Sequence, residues 1–158
     1  MTDPLLGDLR RIYEGNAWHG PGVLEAIRGV TSAQAASRPI PGAHTIYELT
    51  HHIAAWIGET SARLQGSTPG MPVEGDFPDR STTVDDTTWS DVCARLERRQ
   101  AELLEAVAAF DVGRLDDPVK AEHKNADGPV TFRALLSGIA QHSAYHAGQI
   151  VILRKAMA

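Results

Sequence analysis

Apolar side chains recur along this chain every three to four residues in four stretches, the period of helices that each turn one face to a core. The first stretch starts near Pro4 and carries Leu5, Leu6, Leu9, Ile12 and Tyr13. It meets Gly20-Pro21-Gly22, where a kink or break is expected, and resumes with Val23, Leu24 and Ile27. A short piece follows from Thr31, which stands at capping-box spacing from Gln34. Arg38-Pro39-Ile40-Pro41-Gly42 reads as a loop. The second stretch has Thr45 as N-cap and Glu48 three residues on, then Ile46, Leu49, Ile53, Trp56, Ile57 and Leu64, and it ends at Gly66. The third begins near Trp89 with Val92, Leu96, Leu103, Leu104, Val107 and Phe110. Thr131 caps the fourth, whose stripe runs Phe132, Leu135, Ile139, His142, His146, Ile150 and Leu153.

The links between these stretches are informative. Residues 66–88 are rich in Pro, Gly, Asp and Thr and have no period. Connections in bundles normally take about 2–8 residues. So long a link either crosses the bundle or covers a site. Residues 111–130 form a second long loop, and no strand signal of useful length occurs. Four amphipathic stripes must bury against one another, which predicts an all-α four-helix bundle with residues 1–158 as one domain.

Charge narrows the partners. Fifteen Lys and Arg stand against twenty Asp and Glu, a net charge of −5. Nucleic acid and anionic membranes need a basic surface, so neither is a default partner. Arg95, Arg98 and Arg99 lie close together and read as a solvated helix face. The single cysteine, Cys93, cannot form an intramolecular disulfide and reads as a half-buried structural thiol. No leader and no apolar run of membrane-spanning length is evident, so the expected location is the cytoplasm.

Seven histidines remain: His19, His44, His51, His52, His123, His142 and His146. On a helix, His142 and His146 fall within about 20° of Leu135, in the apolar stripe, one turn apart on one face. Buried imidazoles need partners for their ring nitrogens, and a metal ion supplies them. His52 lies at the border of the second stripe and can point inward. His51 lies nearly opposite and is expected in solvent or against a neighbouring subunit.

Helical rise gives a test of level. His52 sits about 10 Å below its cap on a helix of about 30 Å, which leaves about 20 Å to the far end. His142 and His146 sit about 16 and 22 Å below Thr131. The levels match if the second and fourth helices are antiparallel. The second and third must then be parallel, and the 66–88 link supplies the crossover. Three imidazoles favour Zn, Ni, Fe or Cu over Mg or Ca, and a three-ligand site leaves an open, catalytic position. His142-Ser143-Ala144-Tyr145-His146 lacks the Glu of a metallopeptidase after its first His, and no CxxCH haem motif occurs.

Thr45-Ile-Tyr-Glu48-Leu-Thr-His-His52-Ile-Ala-Ala-Trp56 and Gln141-His142-Ser-Ala-Tyr-His146-Ala-Gly-Gln149-Ile150 resemble the two signature segments of the DinB/YfiT-like metal-dependent proteins. Ala17-Trp18-His19-Gly20-Pro21 is similar to a segment near the start of some members. The resemblance implies a four-helix bundle with a crossover between helices two and three. It also implies a three-histidine site holding Zn or Ni through His52, His142 and His146, and a homodimer. Members with known activity include thiol S-transferases using low-molecular-weight thiols and a thiol-dependent isomerase, while fold alone does not fix a reaction.

Other residues take secondary roles. His19, before the Gly-Pro break, is a candidate catalytic side chain that supplies a fourth ligand or a hydrogen bond at the open position; the other reading is an N-cap or surface histidine. Gln149 stands three residues after His146 and is a candidate partner for its ring. Trp56 walls a pocket or packs in the core, and Tyr145 packs rather than acting as an acid. The expectation is a divalent-metal enzyme that activates a low-molecular-weight thiol or water against a small-molecule substrate. A non-catalytic metal-stabilised or metal-sensing helical dimer is the alternative.

Overall fold

The computed structural model describes residues 4–120, 124–125 and 128–158. The helices are α1 (Pro4–Glu14), α2 (Val23–Ile27), α3 (Ser32–Ala36), α4 (Ile46–Leu64), α5 (Asp86–Ala109) and α6 (Phe132–Ala156). The four long ones, α1, α4, α5 and α6, are the four expected from the pattern. The second long link holds a 3-10 turn at Val112–Arg114 and a two-residue antiparallel pairing of β1 (Lys124–Asn125) with β2 (Gly128–Pro129). Two residues a side carry too little alternation to register in the sequence as strands.

Caps set the helix starts. Thr45 Oγ1 accepts from the Glu48 N–H at 3.1 Å, and Glu48 Oε2 accepts from the Thr45 N–H at 3.0 Å. Thr31 and Gln34 repeat that exchange at α3, and Thr131 caps α6 through the Ala134 N–H. α5 begins at Asp86, three residues ahead of Trp89, because Asp85 Oδ1 takes the Thr88 N–H at 2.7 Å. The first break also comes earlier than expected. α1 stops at Glu14, and Gly15 and Asn16 turn the chain with φ of 125° and 60°. The chain then returns so closely that a Cβ on Gly22 would stand 2.7 Å from the Gly15 nitrogen, so only glycine fits there.

Contacts along the helices give their directions. Gly58 of α4 lies against Arg99 of α5, Ser61 Oγ reaches the Glu102 carbonyl at 3.5 Å, and Leu64 shares a cleft with Ala106 and Phe110. Residue numbers rise together, so α4 and α5 are parallel and residues 65–85 cross the bundle. Against α6 the order reverses: His44 and Leu49 line one cleft with Gln149 and Leu153, His52 meets His142, and Arg63 lines another cleft with Leu135. α4 and α6 are therefore antiparallel, as the level argument requires.

The core is built from Ile46, Leu49, Ile53 and Ile57 of α4, Val92, Leu96 and Leu103 of α5, and Leu136 and Ile150 of α6, all under 2% exposed or at 2%. The innermost line of α6 runs through Leu136 rather than Leu135, which is half-buried. The apolar pair Leu135-Leu136 offers either register, and packing selects the one that places Ser143 and Ala147 against neighbouring helices. This leaves His142 on the flank of the stripe, where α4 and the crossover face it.

Candidate metal centre

α4 and α6 bring His52, His142 and His146 together. One ring nitrogen from each lies within 4.8 Å of the others, and His52 Nε2 stands 2.8 Å from His142 Nε2. His52 and His146 are buried and His142 is half-buried. Among the described residues no other His, Cys, Asp or Glu joins this group.

Hydrogen bonds settle which nitrogens face inward. His52 Nδ1 lies 3.0 Å from the Asp76 carbonyl and 2.9 Å from Asp76 Oδ1. Both oxygens only accept, so Nδ1 carries a proton and Nε2 faces the cluster. His146 Nδ1 lies 2.6 Å from Gln149 Oε1, which leaves its Nε2 as the free donor atom in the same way. His142 Nδ1 is buried without a partner. Burial, aided by the charges that His146 and His52 would carry, pushes His142 down to about 4. Burial also lowers His146. Both rings are neutral at neutral pH, the state a metal ligand requires.

The donor set fits a divalent transition ion. Such an ion sits about 2.0–2.1 Å from an imidazole nitrogen, so ligand nitrogens must lie within about 4 Å of one another. These three lie within 4.8 Å of one another, so a bound ion would draw them slightly closer. Two of the lone pairs are already fixed by acceptors behind the rings, as metal-ligating histidines generally are.

The crossover closes over the site. Phe77 lies between His44 and His52, with ring centroids 3.9 and 4.2 Å apart and planes within 4°. Asp76 Oδ1 also accepts from Trp56 Nε1 at 2.8 Å. Glu74 is ion-paired to Arg99, and its carbonyl lies 3.1 Å from His51 Nε2. Glu74, Asp76 and Phe77 escaped the sequence reading because they lie in a stretch with no period. The only signal was the length of the link, which both crosses the bundle and covers the cluster.

That cover also corrects two expectations. His51 is buried at 6% exposure, not in solvent. Fourteen of the nineteen residues of α4 are buried, because the crossover roofs the side that helical periodicity leaves polar. Arg99 does not belong to a free basic face, since it anchors Glu74.

Gln149 partners His146 as its spacing suggested. Trp56 is half-buried, its ring 6.5 Å from that of His142. Tyr145 is exposed, with its ring edge-on to His146 at 5.0 Å. His19 is exposed and lies outside the three-histidine group, beside a cleft of about 460 Å³ between α1 and α6 that Trp18 and Gln141 also line. His123 lies outside the described residues. Cys93 is half-buried, and burial together with Glu97 pushes its thiol up to about 11, against a role as nucleophile.

No curated protein and no solved structure gives a match to the chain. A family model, that of the DinB superfamily, matches residues 18–150. The match begins at Trp18, takes in the capped α4 segment with His52, and ends at Ile150, just beyond His146 and Gln149. With an all-helical bundle whose second and third long helices are joined by a crossover, the chain belongs to the DinB superfamily.

Proposed function

We propose that the Nε2 atoms of His52, His142 and His146 hold one divalent metal ion, zinc or nickel, at the centre of an enzyme site for a low-molecular-weight thiol or water. The observation that carries this reading is the convergence of three imidazole nitrogens with no fourth His, Cys, Asp or Glu beside them among the described residues. A bound ion would supply the positive charge that lowers the pKa of a thiol or a water molecule in the remaining position. The chain's own residues orient and enclose. Asp76 and Gln149 hold the Nδ1 protons of His52 and His146 and so aim the opposite nitrogens inward. Phe77 and Trp56 wall the cluster with aromatic surface and exclude water from one side.

Transfer of the thiol to a small electrophile is the leading reaction class, and metal-assisted hydrolysis is the related one. His19 stands in the cleft lined by Gln141, one residue from His142, and enters this reading as a candidate catalytic side chain on the substrate side. A homodimer in the cytoplasm completes it. No described helix is long and apolar enough to cross a membrane. The test is elemental analysis of protein purified without an affinity tag, followed by a panel of thiols and electrophiles with and without chelator. Metal at one ion per chain and activity lost on chelation support the reading. Full activity in the chelated protein would refute a catalytic metal and favour a metal-stabilised or metal-sensing bundle.

A further inference from the structure

We infer that Asp76 of the crossover is a positioning residue for the metal centre, its carboxylate setting the tautomer, orientation and charge environment of His52. The inference rests on the metal reading above. His52 Nδ1 meets two oxygens of the same residue, the carbonyl at 3.0 Å and Oδ1 at 2.9 Å, so its proton is shared between them. The carboxylate is itself held. Trp56 Nε1 donates to the same Oδ1 at 2.8 Å, from one turn further along the helix that carries His52. Phe77, the next residue, stacks on His52 with ring planes 4° apart and prevents the imidazole from turning away. Asp76 therefore reads as the outer member of a carboxylate–histidine–metal arrangement, assembled by a loop and not by either helix that supplies ligands.

Electrostatics points the same way. Three neutral imidazoles bring no charge to offset a divalent ion, and desolvated charge is costly unless compensated. Asp76 is the carboxylate whose field reaches the cluster, acting on both His142 and His146. Its side chain is 42% exposed, so water screens part of that field and the effect falls at the lower end of those seen for outer carboxylates. The geometry also separates acceptor from charge. In Asp76→Asn the amide oxygen and the backbone carbonyl still accept from His52, and only the negative charge is lost. Trp56→Phe keeps the charge and removes the donor that orients it.

The experiment is titration of chelator-treated protein with cobalt(II), following the visible d–d bands, and with zinc(II) in competition against an indicator. Chain integrity is followed by thermal unfolding of the metal-free form. The wild-type chain binds one ion. Asp76→Asn binds about tenfold more weakly, with a shifted cobalt spectrum and a metal-free melting temperature close to wild type. Trp56→Phe loses less affinity than Asp76→Asn. If wild type binds and Asp76→Asn binds equally tightly with an unchanged spectrum, the inference is overturned while the metal reading stands. If Trp56→Phe loses as much as Asp76→Asn, anchoring of the loop accounts for the effect and the positioning role is overturned. If wild type binds neither ion, the metal reading fails and takes the inference with it.

Discussion

Replacing Glu48 tests the chain of cause that runs from a helix cap to the three-histidine cluster. Its carboxylate is 5% exposed. Oε2 accepts from the Thr45 N–H at 3.0 Å and faces His44 Nδ1 at 3.0 Å, while Oε1 takes the Arg38 guanidinium. Burial alone would raise its pKa, but Arg38, the Thr45 N–H and His44 together outweigh burial and hold the carboxyl below its ordinary value. The Thr45 N–H loses its carboxylate acceptor, while the Glu48 N–H keeps its bond to Thr45 Oγ1, a loss of about 1 kcal/mol. The charge-assisted bond to Arg38 is worth about 1.5–3 kcal/mol when shielded from water. Arg38 is 37% exposed, which reduces that to about 1–2 kcal/mol. Glu48→Ala should therefore lose about 2–3 kcal/mol, and for a chain of this length melt about 4–12 °C lower. The assay is thermal unfolding by far-ultraviolet circular dichroism on chelated protein at neutral pH. A carboxyl whose folded pKa is depressed contributes stability above its unfolded pKa, about 4.3, and loses it as pH falls through the lower folded value. The deficit of Glu48→Gln should accordingly be present at neutral pH and shrink in acid below that value. A Glu48→Ala protein melting within about 2 °C of wild type, or a Glu48→Gln deficit unchanged down to pH 3, would refute the reasoning. The site should feel the change too, because His44 loses its partner while stacked on Phe77, which in turn covers His52.

Four further outcomes are expected. His146→Ala should bind zinc at least a hundredfold more weakly by competition titration, because two imidazoles hold the ion poorly; unchanged affinity would remove His146 from the site. His51→Ala should lower stability by about 1–2 kcal/mol in urea unfolding, since a buried ring bonded to the Glu74 carbonyl is lost, while one ion per chain is retained. Leu96→Ala, at a position with 0% exposure, should cost about 2–5 kcal/mol in the same assay. Cys93 should react with an aromatic disulfide reagent at least tenfold more slowly in the native chain than in urea at neutral pH, and equal rates would contradict the raised thiol pKa.

The fold was largely legible because its signals are local. Thr45 and Glu48 announce the start of α4 within four residues, and the exchange is present as written. Parallel α4 and α5 followed from three facts: the depth of His52 below its cap, the depths of His142 and His146 below Thr131, and the length of the link after Gly66. What local signals misplaced were boundaries and registers. Asp85 starts α5 inside a stretch that reads as loop, because an N-cap Asp looks like any other loop Asp until the helix behind it is packed. The choice between Leu135 and Leu136 needs the partner helices, since both are apolar and one residue apart.

The site divides along the same physical line. His52, His142 and His146 could be found because helical geometry converts spacing into a shared face, and helix length converts position into level. Their outer partners follow two different rules. Gln149 acts on His146 from three residues away on the same helix, so its role was visible as spacing. Asp76 acts on His52 across twenty-four residues of aperiodic chain, and nothing in that chain distinguishes it from Asp79 or Asp85 before the crossover is laid down. The same crossover explains why His51 is buried. A helical wheel assumes that the side away from the core faces water, but here a loop occupies it, pinned by Arg99 to Glu74, by Trp56 to Asp76 and by stacking of Phe77. Because α4 is enclosed by helices on one side and by the loop on the other, its two adjacent histidines, about 100° apart around the helix axis, are both buried and both bond to the loop. His52 turns its other nitrogen to the cluster, and His51 serves only the loop that covers it.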